Sequence, residues 1–436
     1  MDPEFSLELE RRRTQVQKSL GQGVLVLFSA PVHLRNGDVE HSYRQDSDFF
    51  YLTGVTEPES ALLLSEATGL VLFVRERNRE KETWEGRRMG VEGAVQSYGA
   101  KSAHPINELA SRLADYFEDQ SSLHYLVGQE RSWDHLMLDA INAVRGRRRK
   151  RVRTPHQIVD ARVILHEMRR IKSSFESAQM FEVARLSADA HVKAMQACRP
   201  GMMEWELQNV VETEFRRQGA EGLAYESIVG SGENATILHY RENNRRMIDG
   251  DLVLIDAGAE KSCFAADITR TFPVNGVFSQ IQARLYQAVL DAQTAAINQT
   301  VTGATIDQVH EAAWAVLRDA LRKEELVTDE DWADEEKVKK RVNRFYMHRT
   351  SHYLGMDVHD VGPYYDGKTP RALSPGVMIT VEPGLYFAPD DETVPEAYRG
   401  IGIRIEDDVL VTENGPRVLT DGVPKSIEGI EAMCNS

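Results

Sequence analysis

Cysteine, long apolar runs and excess positive charge are all scarce in this sequence of 436 residues, and each shortage excludes a class of protein. The three cysteines, Cys198, Cys263 and Cys434, lie too far apart for a CxxC zinc site or a disulfide framework, which favours a reducing compartment. No apolar run approaches the roughly 20 residues of a membrane span, and the N-terminus lacks the apolar core of a signal peptide. We therefore expect a soluble, cytoplasmic protein.

The charge balance opposes binding to nucleic acid or to an anionic membrane. The 52 Lys and Arg stand against 68 Asp and Glu, a formal net charge of −16, and such a surface repels polyanions. The basic run RGRRRKRVR at 145–153 has no apolar periodicity, and we interpret it as a solvated loop. Signatures of the HExxH, GxSxG and catalytic-cysteine types are missing, so zincin, serine-hydrolase and thiol mechanisms lack support.

The pattern of apolar segments divides the chain into two predicted domains, 1–172 and 173–436. In the first, apolar runs predict strands at 23–28, 49–54, 60–65 and 69–74, and helical spacing predicts helices at 106–117 and 132–145, as in a small α/β domain. In the second, the spacing predicts long helices at 174–198, 203–218, 279–300 and 305–323. Ser174 and Ser279 are the candidate N-caps of the first and third of these.

The second domain contains an internal repeat. GDLVLIDAG (250–258) and GVMITVEPG (376–384) share a glycine, an apolar run, an acid six residues after that glycine, and a second glycine two residues later. Each frame follows a predicted helix pair and precedes a strand with another acid, Asp267 or Glu406. We therefore predict an α+β domain built from two αα-ββ units around one site.

Four acids of this repeat, Asp256, Asp267, Glu382 and Glu406, stand in apolar strand contexts, and alternation in IGIRIEDDV places Arg404 on the same face as Glu406. Buried carboxylates that converge repel each other unless positive charge lies among them, and one arginine is too little. Two divalent cations with shared carboxylates would balance the charge. A hard, oxygen-rich shell with one imidazole favours Mn²⁺, Co²⁺ or Fe²⁺ over a structural zinc.

Histidines provide the second indication of a site. The segment FYMHRTSHYLGMDVHDVG places His348, His352 and His359 within twelve residues, among aromatic and apolar neighbours. A neutral imidazole binds metal ions, and near neutral pH it also donates or transfers protons. His239 in TILHY stands alone, and its context carries a weaker signal.

With Asp256, Asp267, His352, Glu382 and Glu406 in this order, the sequence resembles the proline-specific metallopeptidases of the pita-bread fold, and within them the bacterial Xaa-Pro aminopeptidase (aminopeptidase P) family. The resemblance runs over roughly residues 6–433, and the segments that carry it include YRQDSDFFYLTGVTEPE (43–59), IVGSGENATILHY (228–240), SHYLGMDVHDVG (351–362), TVEPGLY (380–386) and YRGIGIRIEDDV (398–409). It implies a C-terminal pita-bread domain preceded by a smaller, creatinase-like α/β domain.

Carried over residue by residue, the resemblance implies a dinuclear metal site. Asp256 would hold the first metal ion, Asp267 and Glu406 would bridge the two ions, and His352 and Glu382 would complete the second. Glu382 would also be the general base for a hydroxide that bridges the ions and attacks the scissile carbonyl.

The resemblance assigns the remaining residues to the substrate. His359 would stabilise the developing oxyanion, and His239 and His348 would line the pocket and orient the proline. Arg404 and Tyr386 would support these groups from behind. In relatives a tryptophan that matches Trp84 reaches the cleft of a neighbouring subunit, which implies a homotetramer, with a dimer as the alternative.

The activity so implied is release of the N-terminal residue from peptides with proline in the second position. The cofactor would be two divalent ions per subunit, with Mn²⁺ favoured and Co²⁺, Fe²⁺ or Zn²⁺ as alternatives, and no nucleic acid or membrane partner is expected. Two other functions stay open: a prolidase that cleaves only Xaa-Pro dipeptides, and a non-catalytic pita-bread binding module. Family members often read HGLSH where this chain has His348-Arg349-Thr350-Ser351-His352, so Arg349 is a candidate to alter selectivity.

Overall fold

The computed structural model describes residues 2–147 and 151–436, and the chain forms two compact units, Met1–Met168 and Arg169–Ser436. Residues 148–150, in the middle of the basic run predicted as a loop, lie outside the described part of the chain. No described helix is both long enough and apolar enough to cross a lipid bilayer.

The first unit is built on a six-stranded mixed sheet. The unit as a whole contains the strands β1 (Val24–Phe28), β2 (Leu34–Asn36), β3 (Val39–Glu40), β4 (Ala61–Ser65), β5 (Gly69–Val74), β6 (Ser102–Pro105), β7 (Ser122–Tyr125) and β8 (Gln157–Asp160). Its helices are α1 (Pro3–Leu20), α2 (Ser47–Thr53), α3 (Arg79–Glu85), α4 (Gly90–Tyr98), α5 (Leu109–Phe117), α6 (Arg131–Gly146) and α7 (Arg162–Arg170), the last of which continues into the second unit. The sheet order is β6-β5-β4-β1-β7-β8, and β2 and β3 form a separate hairpin.

Strands β1, β4 and β5 carry the apolar runs predicted at 23–28, 60–65 and 69–74, and those predictions are confirmed. Their side chains are buried on both faces of the sheet, which explains why the sequence shows continuous apolar runs instead of alternation. Phe73 and Val26 belong to a core with Leu113 and Phe117 of α5. The helices predicted at 106–117 and 132–145 correspond to α5 and α6.

The strand predicted at 49–54 is wrong, because this segment lies in helix α2. The Asp46 carboxylate caps the helix by accepting from the Phe49 N–H at 2.9 Å, and Gly54 ends it in the left-handed region with φ of 67°. Every residue of α2 is buried. A short run that is apolar on all sides does not reveal its period, so apolar content alone does not separate a buried helix from a buried strand.

The second unit contains the predicted pairs of long helices. Its helices are α8 (Ser174–Ala197), α9 (Glu204–Arg217), α10 (Gln280–Gln299), α11 (Ile306–Lys323), α12 (Asp329–Trp332), α13 (Glu335–Phe345) and α14 (Ile427–Cys434). Ser279 caps α10 as predicted. The cap of α8 is Ser173, one residue before the predicted Ser174, because Glu176 completes a capping box with Ser173: each side chain accepts from the backbone N–H of the other.

Short strands of the second unit bring the acids together. They are β9 (Gly222–Leu223), β10 (Ile228–Ser231), β11 (Leu252–Asp256), β12 (Ala259–Lys261), β13 (Phe264–Ala265), β14 (Thr269–Pro273), β15 (Tyr365–Asp366), β16 (Thr369–Pro370), β17 (Met378–Val381), β18 (Gly384–Tyr386), β19 (Gly402–Arg404), β20 (Asp407–Thr412) and β21 (Gly415–Val418). Helices α8 and α9 precede the antiparallel pair β11 and β14, and α10 and α11 precede the antiparallel pair β17 and β20. The predicted fold class and its two αα-ββ units are confirmed.

Backbone contacts join the two halves of the repeat at the level of the acids. The Glu406 N–H donates to the Thr269 carbonyl at 3.0 Å, and the Thr271 hydroxyl donates to the Arg404 carbonyl at 3.0 Å. Asp256 lies opposite Thr269 in the register of β11 and β14. The ends of strands from both halves therefore meet at one place.

Candidate functional site

The four acids of the repeat, together with His352, converge on one cavity of about 550 Å³ in the second unit. Asp256 is the last residue of β11, and Glu382 directly follows β17. Asp256, Asp267 and Glu406 are buried, and Glu382 is half-buried. The apolar strands thus end in carboxylates that face a common space, as the sequence predicted.

Three of these residues have the spacing of a metal site. Ligand atoms of Asp267, His352 and Glu406 all lie within 4.8 Å of one another. His352 Nε2 lies 3.4 Å from an Asp267 oxygen and 3.7 Å from a Glu382 oxygen, while its Nδ1 lies 3.0 Å from the Tyr353 carbonyl, to which Nδ1–H donates. That hydrogen bond leaves the Nε2 lone pair directed at the carboxylates, the usual arrangement of a metal-binding histidine.

Arg404 is the buried cation of the cluster. Its guanidinium donates to Asp256 at 2.6 Å, to the Tyr386 hydroxyl at 3.0 Å and to the Thr269 hydroxyl at 3.1 Å. Thr269 in turn donates to Glu406 at 2.6 Å. One guanidinium therefore orients both Asp256 and Glu406, the latter through Thr269.

Tyr225 is a component that the sequence analysis missed. Its hydroxyl lies 2.6 Å from an Asp256 oxygen and 2.5 Å from an Asp267 oxygen, so it bridges two of the predicted metal ligands. Burial, followed by the charges of Asp256 and Asp267, raises the pKa of Tyr225 well above its ordinary value and keeps it a proton donor. A tyrosine outside any strand pattern gives no sequence signal for this role.

The electrostatics show how unfavourable this cluster is without added positive charge. Burial raises the pKa of Glu382 to about 8, and burial reinforced by Asp267 and Glu382 raises the pKa of Glu406 well above its ordinary range. Burial also raises the pKa of Asp256, although Arg404 opposes the shift. Burial acts against protonated His352, but the hydrogen bond and charges from Asp267 and Glu382 outweigh it and raise its pKa to about 9. Without metal ions, these side chains retain protons because the cluster has too little positive charge to balance its carboxylates.

These residues fit a divalent metal centre. The donor set is rich in carboxylate oxygens with one imidazole, which suits hard or borderline divalent cations such as Mn²⁺. Metal binding would displace the protons that the cluster retains.

We predict that the metal-depleted protein has a higher melting temperature at pH 6 than at pH 8. Glu382 has a pKa of about 8 in the folded state and ordinarily ~4.3 when unfolded, so the unfolded state loses its proton first and stability falls as pH rises between these values. His352 acts in the same direction: the stability from its protonation is present below its unfolded pKa of ~6.5 and is lost as pH rises through about 9.

Thermal unfolding followed at both pH values, with and without Mn²⁺, checks this prediction. Added Mn²⁺ should raise the melting temperature more at pH 8, because fewer protons compete there. The Glu382→Gln variant is the matched control, and its shift between the two pH values should be smaller. Equal or greater stability of the metal-depleted protein at pH 8 would contradict the prediction.

The other predicted histidines border the same cavity. His348 Nε2 lies 2.9 Å from the Tyr386 hydroxyl and His348 Nδ1 lies 2.8 Å from the Arg349 carbonyl. Burial lowers the pKa of His348 to about 4, which keeps it neutral. The ring of His359 lies 4.2 Å from that of His352, and both His359 and His239 are exposed to the cavity.

Two predicted residues have other surroundings. The Tyr386 hydroxyl contacts the side chains of His348 and Arg404. Trp84 lies on α3 of the first unit, and its side chain is 86% exposed. Arg349 lines the cavity and pairs with Asp307, which also accepts from the Tyr365 hydroxyl at 2.9 Å. The arginine that departs from the family pattern therefore lies at the cavity wall.

Comparison with known proteins gives matches over both units. Residues 178–413 match metallopeptidase family M24, and residues 9–126 match the N-terminal domain of aminopeptidase P. The Xaa-Pro aminopeptidase of Escherichia coli is 41% identical over 431 residues, covering 98% of this chain and 97% of that protein.

Solved structures of similar proteins match this chain over 99% of its length. The aminopeptidase PepP of Pseudomonas aeruginosa superposes with a TM-score of 0.95 at 45% identity, covering 99% of this chain and 98% of that one. Aminopeptidase P from E. coli with the inhibitor Pro-Leu gives a TM-score of 0.93 at 41% identity, again covering 99% and 98%.

Proposed function

The chain belongs to metallopeptidase family M24, and on that premise we propose that it is a Xaa-Pro aminopeptidase, which releases the N-terminal residue of peptides with proline in the second position. The observation that carries the proposal is the convergence of five potential ligands, Asp256, Asp267, His352, Glu382 and Glu406, on one cavity. A non-catalytic member of the fold would have no need to retain this complete and electrostatically costly set.

The five residues would hold two divalent cations, with Asp267 and Glu406 between them, Asp256 on one side, and His352 and Glu382 on the other. When bound, such a pair lowers the pKa of a water molecule and polarises a carbonyl oxygen. Both effects are needed for a bond to proline, whose nitrogen carries no N–H and is poorly recognised by ordinary peptidases. We propose Mn²⁺ as the ion, with Co²⁺, Fe²⁺ and Zn²⁺ as alternatives for elemental analysis.

Glu382 is suited to take the proton that the attacking water loses. Its carboxylate lies within 3.7 Å of His352 Nε2 and 3.6 Å of His348 Nδ1, beside the residues that would hold the ions. A carboxylate placed next to the attacking water can accept its proton as a general base.

Three histidines would hold the peptide. Burial lowers the pKa of His359, so an uncharged imidazole stands beside the metal ligands with one N–H to donate to the developing oxyanion. His239 and His348 border the cavity and would contact the proline region of the substrate. The carboxylates together with the bound cations would recognise the free N-terminal amine, which restricts cleavage to the first residue.

The substrate class is tested by peptide length. We expect hydrolysis of Xaa-Pro-Yaa-Yaa and of tripeptides at rates at least comparable with that of the Xaa-Pro dipeptide. Strong preference for the dipeptide would identify a prolidase instead. Metal-depleted protein that stays inactive after Mn²⁺ addition would indicate a binding protein.

The proposal extends to assembly and location. Trp84 is almost fully exposed on α3, as expected for a residue that enters the cleft of a neighbouring subunit, and we propose a homotetramer, with a dimer as the alternative. Cys198, Cys263 and Cys434 are not joined in disulfides, and we propose a cytoplasmic protein.

We predict that His359→Ala lowers kcat by roughly 100-fold or more, the usual effect of losing one oxyanion donor, while metal content stays unchanged. Steady-state kinetics and elemental analysis of the same preparation check this. His33→Ala, which changes a histidine of the first unit, is the control and should keep wild-type kcat. Parallel losses of metal and activity in His359→Ala would place His359 among the ligands.

A further inference from the structure

Glu204, the first residue of α9, is a completely buried carboxylate away from the metal ligands. One oxygen accepts from the Ser231 N–H and hydroxyl, both at 2.7 Å, and from the Asn234 amide at 3.2 Å. The other accepts from the Tyr240 hydroxyl at 2.9 Å and the Arg245 backbone N–H at 2.8 Å. Among the described residues, no lysine, arginine or histidine side chain forms an ion pair with Glu204.

All of these donors belong to the segment 231–245, which forms one wall of the cavity. Leu238, His239 and Arg241 of this segment line the cavity. His239 itself is exposed and makes no hydrogen bond to any described residue, so its own contacts do not fix its position. The next residue, Tyr240, is buried and bound to Glu204.

A buried carboxylate is costly unless hydrogen bonds satisfy it. Here the satisfying donors converge only when the segment 231–245 has the observed conformation, because they come from four separate positions along it. A conformation that moves these donors away leaves the charge of Glu204 without some of its hydrogen bonds. The carboxylate therefore selects one conformation of the segment.

We infer that Glu204 is a positioning residue for catalysis, which holds His239 against the proline region of the bound peptide. The inference rests on the proposed function in one respect, namely that His239 contacts substrate. It concerns a buried carboxylate that belongs neither to the segments that carry the family resemblance nor to the proposed metal ligands.

The test compares Glu204→Gln with wild type on an Xaa-Pro-Yaa-Yaa peptide. The amide keeps the volume but turns an acceptor into a donor that faces other donors. We expect kcat/KM to fall about tenfold, on the scale of one hydrogen bond to a charged group. The loss should fall mainly on KM, since His239 contacts the peptide and not the reacting atoms. A purely structural defect would reduce the active fraction, and hence apparent kcat, with KM unchanged.

Glu206→Gln is the matched control. Glu206 lies in the same first turn of α9, and its carboxylate accepts from the Met203 N–H at 2.8 Å instead of from the cavity segment. The control should lose stability without a change in KM. Tyr240→Phe removes one donor and keeps the carboxylate, so it should raise KM by a smaller factor, and it replaces Glu204→Gln if that variant does not fold.

A double-mutant cycle with His239→Ala decides between positioning and general destabilisation. If Glu204 acts through His239, Glu204→Gln should change kcat/KM by no more than about twofold in the His239→Ala background. The same tenfold loss in both backgrounds would overturn the inference, as would wild-type kinetics of either Glu204→Gln or His239→Ala. Inactivity of the wild-type protein toward every Xaa-Pro peptide would instead overturn the proposed function.

Discussion

Asp267→Ala should abolish peptide hydrolysis, with a fall in kcat/KM of at least about 1,000-fold, because a bound cation pair supplies several kcal/mol to the reaction. Asp267 lies within 3.4 Å of His352 Nε2, accepts from Tyr225 at 2.5 Å, and shares a metal-sized site with Glu406. Its carboxylate is thus central to the cluster. Its removal would leave the remaining ligands without the group proposed to join the two ions.

The variant should also bind less metal, as measured by elemental analysis after gel filtration. Asp319→Ala is a suitable control, because Asp319 is an exposed residue of α11 paired with its neighbour Arg318. Near-normal turnover of Asp267→Ala, at any metal content, would contradict a shared site.

Glu382→Gln should lower kcat by about 1,000-fold, within the usual range for loss of a general base. The substitution preserves shape but removes the proton acceptor that faces His348 and His352. Because Glu382 is also proposed as a metal ligand, part of the loss would reflect weaker metal binding.

Kinetics at saturating Mn²⁺ separate the two effects. Excess metal should restore ion content but not turnover, since an amide does not accept the proton. Glu226→Gln is the control, because Glu226 also lines the cavity but pairs with Arg241 at its edge. Recovery of full activity at high Mn²⁺ would show that Glu382 serves only as a ligand.

Much of the site could be predicted because a buried acid is recognisable in a sequence as a charged residue at the end of an apolar strand. Asp256 and Glu382 end apolar strands, and the strand pairs β11 with β14 and β17 with β20 bring those ends together. An acid in such a context needs a compensating partner, and this physical requirement leads from residues to a metal centre without knowledge of the fold.

Residues that act through long-range contacts could not be predicted in this way. Tyr225 and Glu204 belong to segments whose local pattern gives no indication of their partners, which lie 27 to 42 positions away for the bonds to Ser231 and to Asp267. The strand predicted at 49–54 is wrong for a related reason. Capping by Asp46 and Gly54 outweighs the β-forming character of its aromatic residues, and the length of the run does not decide between the two structures.

The central claim is that the buried acids persist because two divalent cations neutralise them. Elemental analysis of Mn²⁺-loaded protein, combined with activity during stepwise metal addition to the depleted protein, tests it most directly. We expect two ions per chain, with full activity reached only when both are bound. Full activity with no metal, or with a single ion per chain, would contradict it.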